Sequence, residues 1–319
     1  MKTLSVGNAN VDLLLYVEEP PACGAQVEAC LFEKRPGGAA SNFAVAAAKL
    51  GVSSSILCCV GSDSEGDWLL RELEACGVET SLVAHVEAPT GFVVIVVDKR
   101  GERSMIAFRG ANALLAQAVR SLNSSLKADW VHVASVKPDT AEAALAIAKS
   151  LGCNTSYDPG SLVAKVGLRQ LEDVFRFVDV LFLNEFEAAT LMAVDYEEMD
   201  HVFEKVPVTV VKMGSKGSRA AAEGCWIEAP AFPVEAVDTT GAGDAFDAGF
   251  VFAYASGLSL REALIFANAC GALKVTRRGS QASPSLSEVI NFLKERGFEA
   301  LASKLLMSSE SFNRKAMDR

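Results

Sequence analysis

Short β-rich segments alternate with helical segments through the middle of this 319-residue chain. The β-rich segments lie at 130–134, 154–157, 180–183 and 208–212, and the helical patterns between them at 139–151, 167–177 and 185–193. Because a strand that is followed by a helix cannot form a tight hairpin with the next strand, this rhythm predicts a mainly parallel sheet with helices on both faces. The predicted fold class is therefore α/β with three layers.

The same pattern defines one large domain. Further strands are expected near residue 3 and at 55–60, with helices at 40–50 and 66–76, and three helices follow at 243–256, 260–276 and 285–296. We assign residues 1–11, 35–87 and 109–302 to this domain. Residues 303–319 are polar and are expected to form a frayed C-terminal tail.

Two segments, 12–34 and 88–108, contain strand-like runs with no helix between them. Phe92–Val97 and Arg103–Phe108 form the clearest pair, and Lys99-Arg-Gly-Glu would join them as a hairpin. We predict that the two segments form a small β-sheet lid that closes over a substrate and excludes water. Because a small two-sided sheet is poorly stable alone, its apolar face could also pair with a second subunit, so a homodimer is expected.

The composition excludes several classes of protein. Half of the residues are hydrophobic and 22% are charged, which is typical of a folded globular chain. The formal net charge of -10 argues against general binding of nucleic acid or an anionic membrane. No apolar stretch is long enough to cross a bilayer. The eight cysteines lack Cys-x-x-Cys spacing and no signal peptide is apparent, so a reducing cytoplasm is expected.

The stretch Asp238-Thr-Thr-Gly-Ala-Gly-Asp244 carries the most chemical information. Gly241 and Gly243 allow a sharp turn, and an apolar helical run begins directly after Asp244. Free N–H groups and partial positive charge at the start of a helix form an anion site. Asp244 in the same turn could accept a proton from an attacking hydroxyl, so the motif indicates phosphoryl transfer. An ordinary loop with Asp244 as a helix cap is the alternative.

Other glycine-rich turns carry polar side chains that suit a sugar. Gly37-Gly38 precedes a helix whose first turn holds Asn42, Arg109-Gly-Ala-Asn112 follows the lid, and Asp12 is expected near the end of the first strand. Open α/β sheets bind ligands at the carboxyl ends of their strands, and amide and carboxylate groups pair with hydroxyls. Each asparagine taken singly could instead be a cap or turn residue.

These motifs together resemble the PfkB, or ribokinase-like, family of carbohydrate kinases, from about residue 3 to residue 300. Six motifs carry the likeness in order: Gly37-Gly38 with Asn42, Val60-Gly-Ser-Asp63 with Gly66, Gly110-Ala-Asn112, Asn184-Glu-Phe-Glu187, Lys212-Met-Gly-Ser-Lys-Gly217 and Asp238–Asp244. The resemblance implies a ribokinase-like fold and an ATP-dependent kinase that phosphorylates a hydroxyl group.

The resemblance also implies roles on the acceptor side of the site. It makes Asp244 the catalytic base and the backbone of Gly241, Ala242 and Gly243 the anion hole. The positions that match the sugar contacts of the family are Asp12, Gly38, Asn42 and Asn112.

On the nucleotide side, Asn184 and Glu187 match an Asn-x-x-Glu motif that organises magnesium and phosphates, with Glu187 holding Mg²⁺ through water. The positions that resemble the nucleotide-binding segments are Lys212, Gly214, Gly217 and Asn268. Asp238 resembles part of a monovalent-cation site that also uses backbone carbonyls near Val275 and Gly279. The expected cofactors are therefore ATP, Mg²⁺ and K⁺.

Departures from the family motifs leave the acceptor open. Ribokinases proper carry Gly-Gly-Lys-Gly-Ala-Asn, whereas this chain has Ala39-Ala40-Ser41 before Asn42, which disfavours free ribose. Fructokinases usually lack the Gly-Ala-Asn found at 110–112. A pentose or a nucleoside is compatible with both motifs. The missing third glycine after Gly243 also argues against a dinucleotide-dependent oxidoreductase.

Side chains near the lid bear on the same question. Tyr16, Phe92 and Phe108 could stack on a base or could simply pack. Arg109 and Lys137, if both face the pocket, would favour a sugar phosphate or an acidic sugar. A catalytically silent sugar- or nucleotide-binding protein is the alternative from another class, but such a protein has no need of a base at Asp244.

Overall fold

A nine-stranded sheet forms the middle layer of the computed structural model, which describes residues 1–122, 126–161, 166–167, 170–192 and 205–306. In spatial order its strands are β15 (Cys225–Ala229), β14 (Ser218–Ala222), β13 (Val208–Lys212), β12 (Val180–Asn184), β11 (Asn154–Asp158), β10 (Trp130–Ala134), β1 (Lys2–Gly7), β4 (Ser53–Leu57) and β6 (Val78–Glu79). All neighbours from β13 to β6 are parallel, and β14 and β15 are antiparallel. The predicted, mainly parallel sheet is confirmed.

Helices cover both faces of this sheet. On one face lie α1 (Ala39–Lys49), α7 (Ala242–Ala255), α8 (Leu260–Val275) and α9 (Leu286–Glu295), and on the other α3 (Leu115–Val119), α4 (Pro138–Ser150), α5 (Glu172–Phe175) and α6 (Glu185–Met192). α2 (Ser64–Ala75) packs beside α1 at one end of the sheet. Fully buried residues such as Phe250 and Leu145 fill the two interfaces, and each stabilises the fold by roughly 1.5–3 kcal/mol.

Local sequence explains where the last two long helices begin. Ser259 accepts a hydrogen bond from the backbone N–H of Glu262, whose side chain accepts one from the backbone of Ser259. Ser285 and Glu288 form the same reciprocal pair at the start of α9. Such capping boxes satisfy N–H groups that lack helical partners. They fix α8 and α9 against the sheet and so position the residues at the ends of α8.

The lid is a separate four-stranded sheet with the order β3 (Leu31–Gly37), β2 (Asn10–Tyr16), β8 (Phe92–Val97) and β9 (Arg103–Phe108). β8 and β9 pair antiparallel, with Val97 opposite Arg103, as the hairpin prediction required. Asp12 lies within β2, not at the end of the first main-sheet strand as expected from sequence. The physical reason is that the chain leaves β1 at Gly7 and turns into the lid directly. β2 begins at Asn10 and β3 ends at Gly37, so the first lid segment is longer at both ends than the predicted 12–34.

Several predicted elements differ in detail. One helix was expected at 167–177. Among the described residues of this range, the α-helix is α5, with one further helical residue at 170; residues 168–169 lie outside the described part of the chain. The strand expected at 55–60 is divided into β4 and β5 (Cys59–Gly61), which pairs with β7 (Ala84–Val86). Residues 299–306 are helical with Leu305 fully buried, so chain packing extends beyond residue 303.

The hairpin of β14 and β15 was not expected from the sequence. It turns at Glu223 and Gly224, both of which have positive φ, as two-residue hairpin turns require. Of the described helices, none is long and apolar enough to cross a membrane.

Candidate active site

Polar side chains meet at the carboxyl edge of the central sheet. Asp158, Asn184 and Lys212 are the last residues of β11, β12 and β13. Because these strands are parallel neighbours, their ends lie side by side. Together with Glu187 and Asp244 they line a cavity of about 510 Å³. This is the edge at which an open α/β sheet binds its ligands.

Asp244 lies in the first turn of α7, as the motif predicted. The preceding Gly241 has φ 76°, and a Cβ there would collide with the carbonyl oxygen of Ser280, so only glycine fits. Ala242 N–H donates to the carbonyl oxygen of Thr239 at 3.2 Å. The amides of Gly241 and Gly243 have no acceptor in the described part of the chain. These two amides, more than that of Ala242, are available to an anion.

Asn42 and Asp244 are in direct contact. The Asn42 side-chain amide donates to Asp244 Oδ2 at 2.8 Å, while Asn42 Oδ1 is buried without a hydrogen-bond partner in the described structure. Burial raises the pKa of Asp244 to about 6, and the bond from Asn42 opposes that rise. Asp244 can therefore lose its proton near neutral pH and still accept one from a neighbouring hydroxyl.

Asp12 offers a second carboxylate to a ligand. Its side chain is buried and accepts no hydrogen bond from the described residues. Burial raises its pKa to about 7. Gly38 caps α1 with φ 98°, and a Cβ on it would collide with the carbonyl oxygen of Asn8. Asp12, Gly38 and Asn42 thus lie on adjoining elements, the lid strand β2 and the start of α1.

Asn112 is engaged by the protein itself. Its amide nitrogen donates to Ala9 O at 3.0 Å and to Asn10 Oδ1 at 2.8 Å, and its oxygen accepts from Ala9 N–H at 3.3 Å. The side chain therefore fixes the loop between β1 and β2, which presents Asp12. Arg109 is exposed and lines the same 510 Å³ cavity as Asp244.

Lys212 is the centre of a buried charge cluster. Its ammonium contacts Asp158 Oδ2 at 2.7 Å and both oxygens of Asp247 at 2.9 and 3.0 Å. Burial alone would lower the pKa of Lys212, but the carboxylates of Asp158 and Asp247 raise it above its ordinary value. Burial raises the pKa of Asp247 well above its usual range. The ammonium of Lys212 therefore stays charged, and it lies beside Gly243.

Asn184 and Glu187 bond each other at the start of α6. Asn184 Oδ1 accepts from Glu187 N–H at 2.8 Å, and Glu187 Oε2 accepts from Asn184 N–H at 2.9 Å. Burial and the charge of Asp158 raise the pKa of Glu187. Within the described ranges no group of three or more His, Cys, Asp or Glu could hold a metal ion. One carboxylate still suits Mg²⁺, which keeps most of its waters and binds substrate phosphates.

A second cavity of about 510 Å³ adjoins the first and is mainly apolar. Its lining includes Lys212, Gly214, Gly217, Phe232 and Asn268. Asn268 donates to the carbonyl oxygens of Ala229 and Pro230, both at 3.1 Å, and so fixes the wall after β15. The nucleotide-binding residues predicted from the sequence are thus brought together around one cavity, and its size suits a nucleoside.

Asp238 is fully bonded within the protein. Its carboxylate accepts from Arg103 Nη2, Thr240 N–H and Gly279 N–H at 2.8, 2.9 and 2.8 Å. These donors outweigh burial and hold its pKa well below the usual range. Its carbonyl oxygen accepts from the ammonium of Lys274 at 2.8 Å. Of the residues expected to bind K⁺, Asp238 thus contacts the protein cations Arg103 and Lys274, whereas the carbonyl oxygen of Val275 accepts backbone hydrogen bonds and Gly279 N–H donates to Asp238.

Of the three lid aromatic residues, Phe92 and Phe108 lie away from Asp12 and Tyr16 lies on the same side. Phe92 and Phe108 pack against each other with ring centroids 5.1 Å apart. In the sheet register they lie on the face opposite Asp12. Tyr16 shares the face of Asp12, and its hydroxyl donates to Glu33 at 3.2 Å.

Four functional residues were missed from the sequence. Asp158 ends a strand as Asn184 and Lys212 do, so its strand-end position was an available signal. Asp247 lies one helical turn after Asp244. Lys274 is a charge within an apolar helical run, which also signals a buried role. Arg103 gave no signal, because only the packing of the small sheet against the main domain brings it to Asp238.

Comparisons with known proteins agree with this geometry. The sequence profile of the pfkB family carbohydrate kinases matches residues 2–286. The chain is 35% identical over 298 residues to an ATP-dependent ribose-1-phosphate kinase of Halopiger xanaduensis, covering 93% of this chain and 99% of that relative.

Two solved structures show the same fold. A nucleoside kinase of Methanocaldococcus jannaschii has a TM-score of 0.84 and 28% identity, and the match covers 92% of this chain and 99% of that one. A putative ribokinase II of E. coli in complex with ATP and Mg²⁺ has a TM-score of 0.80 and 26% identity, over the same 92% and 99%. The chain therefore belongs to the PfkB family of carbohydrate kinases and has the ribokinase fold.

Proposed function

We propose that the protein transfers the γ-phosphoryl group of ATP to a hydroxyl of a pentose or a nucleoside. The contact between Asn42 and Asp244, beside the free amides of Gly241 and Gly243, carries this proposal. Asp244 is the proposed base, Asn42 of α1 donates a hydrogen bond to it, and the two amides form the proposed anion site, all at the start of α7. Phosphoryl transfer needs this positioning and charge neutralisation with little covalent work by the protein.

The chemical step assigns one role to each group. The acceptor hydroxyl gives its proton to Asp244, and its oxygen forms a bond to the γ-phosphorus as the bond to the β–γ bridging oxygen breaks. ADP leaves with that electron pair. The amides of Gly241 and Gly243 and the ammonium of Lys212 stabilise the charge on the transferring group.

The two adjoining cavities give ATP its orientation. The apolar cavity at Gly217 and Asn268 would take the nucleoside, and the polar cavity at Lys212 the phosphates. Glu187 would hold Mg²⁺ through water. When bound, this ion neutralises phosphate charge.

The acceptor is proposed to be a vicinal diol. Asp12 and the unpartnered Oδ1 of Asn42 are both acceptors, and two neighbouring hydroxyls would satisfy them. Ribose rings in sugars and in nucleosides have such a pair.

A sugar phosphate is the second candidate. Arg109 and Lys137 line one small cavity of about 60 Å³ next to Asn8 and Asn112. A phosphate bound between them would receive charge-assisted hydrogen bonds. The relative from Halopiger xanaduensis is named a ribose-1-phosphate kinase, which favours this candidate over other sugar phosphates.

A substrate panel tests the proposal. ADP release would be measured with ribose, fructose, adenosine, inosine and ribose 1-phosphate, and the products identified by mass spectrometry. If ribose 1-phosphate is the substrate, Arg109→Ala and Lys137→Ala should raise its KM, while Lys127→Ala, outside both cavities, should not. If a nucleoside or free sugar is the substrate, the same variants should change KM little. Absence of turnover with every member would contradict the kinase proposal.

We also propose a homodimer formed through the lid. The face of the lid opposite Asp12 carries apolar side chains, and Phe32, Ile106 and Phe108 on it are 56, 70 and 43% exposed. Exposed apolar patches of this kind mark interfaces. Light scattering should give a dimer for the wild type and a monomer for Ile106→Asp. A monomeric wild type would contradict the proposal.

We also propose a cytoplasmic location, because the eight cysteines lack Cys-x-x-Cys spacing and are free thiols, which suits a reducing compartment.

A further inference from the structure

The ammonium of a buried lysine lies beside Asp238, a residue to which the family resemblance assigns a monovalent cation. Lys274, near the end of α8, has no solvent exposure. Its ammonium donates to the carbonyl oxygen of Asp238 at 2.8 Å and of Arg277 at 3.5 Å, and lies 4.0 Å from Asp238 Oδ1. Hard metal cations bind carbonyl and carboxylate oxygens of this kind. The ammonium therefore has the surroundings of a bound ion.

Most of the hydrogen-bonding capacity of the Asp238 carboxylate is already used. Oδ1 accepts from Arg103 and from Thr240 N–H, and Oδ2 accepts from Gly279 N–H. Arg103 also donates to the hydroxyl of Thr240. A cation at Oδ1 would have to displace Arg103 or Thr240 N–H, which hold different segments of the chain.

The local charge is balanced without an added ion. Asp238 and Asp244 are the acidic groups whose charges act on Lys274, and Arg103 and Arg35 are the basic ones. Lys274 and Arg103 compensate the two carboxylates, and Arg103 contacts Asp238 directly at 2.8 Å. A further cation would enter a region with no uncompensated negative charge among these groups, so electrostatics give it no affinity.

The contacts of Lys274 hold the turn that leads into the anion site. Asp238, whose carbonyl binds the ammonium, is three residues before Gly241. The carbonyl oxygen of Val275, next to Lys274, accepts from Val237 N–H at 2.7 Å and from Asp238 N–H at 3.0 Å. The end of α8 therefore binds both backbone groups of Asp238: Val275 accepts from its N–H, and Lys274 donates to its carbonyl oxygen. These bonds fix the start of the Asp238–Gly241 turn.

We propose that Lys274 replaces the monovalent cation of related kinases, and that this protein needs no K⁺. Lys274 is then a positioning residue, which keeps the amides of Gly241 and Gly243 directed at the transferring phosphoryl group without touching it. The turnover assays rest on the proposed function, whereas the thermal measurement below does not.

The first experiment is a titration of the wild-type protein with KCl, at ionic strength kept constant with tetramethylammonium chloride. The expected result is that kcat and KM do not change between zero and saturating KCl. Activation by K⁺ would overturn the proposal.

The second experiment uses Lys274→Ala, which removes the ammonium and leaves room for an ion. We expect kcat to fall about 10²–10³-fold with little change in the KM of the acceptor, because misaligned donors act on the transition state. K⁺ or ammonium should restore part of kcat, and tetramethylammonium should not. Lys294→Ala, at an exposed position on α9, is the matched control and should behave as wild type. Wild-type turnover of Lys274→Ala, or no response to any cation, would overturn the proposal.

A third measurement needs no turnover. The Tm of Lys274→Ala should rise with KCl relative to tetramethylammonium chloride, because an ion that binds only the folded state stabilises it. The Tm of the wild type should not respond. If no acceptor is phosphorylated, the proposed function fails. The Tm values of Lys274→Ala and wild type in the two salts would still decide the role of Lys274. If Lys274→Ala does not fold, the KCl dependence of the wild-type Tm and activity decides it, with a rise in either overturning the proposal.

Discussion

The side-chain amide of Asn42 and the carboxylate of Asp244 are joined by a 2.8 Å hydrogen bond across 202 residues of chain. The bond connects the first turn of α1 to the first turn of α7. It also opposes the rise in the pKa of Asp244 that burial causes. The position expected to bind substrate therefore also sets the state of the proposed base.

Replacing the base should abolish most turnover without weakening binding. Asp244→Asn keeps the size of the side chain but cannot accept the proton, so kcat should fall about 10²–10⁴-fold with little change in KM. Steady-state ADP release would measure this. Asp67→Asn, at an exposed position on α2, is the control and should retain full activity. Equal rates for Asp244→Asn and wild type would exclude Asp244 as the base.

Activity should be lost as the pH falls, in two distinguishable steps. The pH dependence of kcat/KM reports the groups of the free enzyme. Burial raises the pKa of Asp12 to about 7, and a diol binds best when Asp12 is ionised, so kcat/KM should begin to fall near pH 7. Asp244 acts only when ionised, so the decline should steepen by a further tenfold per pH unit below its pKa of about 6. Profiles of kcat and kcat/KM from pH 5 to 8 would test this. Flat profiles would contradict both assignments.

Asn42→Ala should change binding and titration together. Loss of the amide removes a substrate contact, which raises the KM of the acceptor. It also removes the hydrogen bond that lowers the pKa of Asp244, so the acid limb of kcat should move to higher pH. Ser41→Ala is the neighbouring control, because among the described residues the Ser41 hydroxyl bonds only to the backbone of Gly37 and Gly38 and to Gln281. An unshifted acid limb would show that the bond does not control Asp244.

Lys212→Met should destabilise the fold. It leaves Asp158 and Asp247 without their buried counter-charge, and breaking such a cluster costs roughly 3–5 kcal/mol in the free energy of unfolding. Urea denaturation would measure this, and adding Asp247→Asn should recover part of the loss. Lys149→Met breaks the half-exposed pair with Asp179 and should cost at most about 1 kcal/mol. Equal losses for the two variants would contradict the argument from burial.

Glu187→Gln should raise the Mg²⁺ concentration needed for half-maximal activity. The amide keeps an oxygen for the bond from Asn184 N–H but removes the charge that attracts the metal. Glu185→Gln is the matched control two residues away, where the exposed carboxylate pairs with Lys216. An unchanged Mg²⁺ dependence for Glu187→Gln would remove this residue from the metal site.

Much of the fold was accessible from the sequence because the information is local. Apolar period and turn residues predicted the parallel strands, the helices on both faces and the β8–β9 hairpin. The antiparallel β14–β15 hairpin was missed because its turn, Glu223-Gly224, lacks the asparagine or aspartate typical of such turns. Glycine-rich sequence also predicted the sharp turn at Gly241, because a positive φ is a property of the local chain.

The sequence alone thus determined the sheet, the start of α7 and the residue types that could act there. Tertiary structure decided their partners. It joined Asn42 to Asp244, placed Asp158 and Asp247 around Lys212, and brought Arg103 of the lid and Lys274 of α8 to Asp238. The physical reason is that a charge or a lone pair is satisfied by whatever folding brings within about 3 Å of it, and no local pattern of residues encodes that distance.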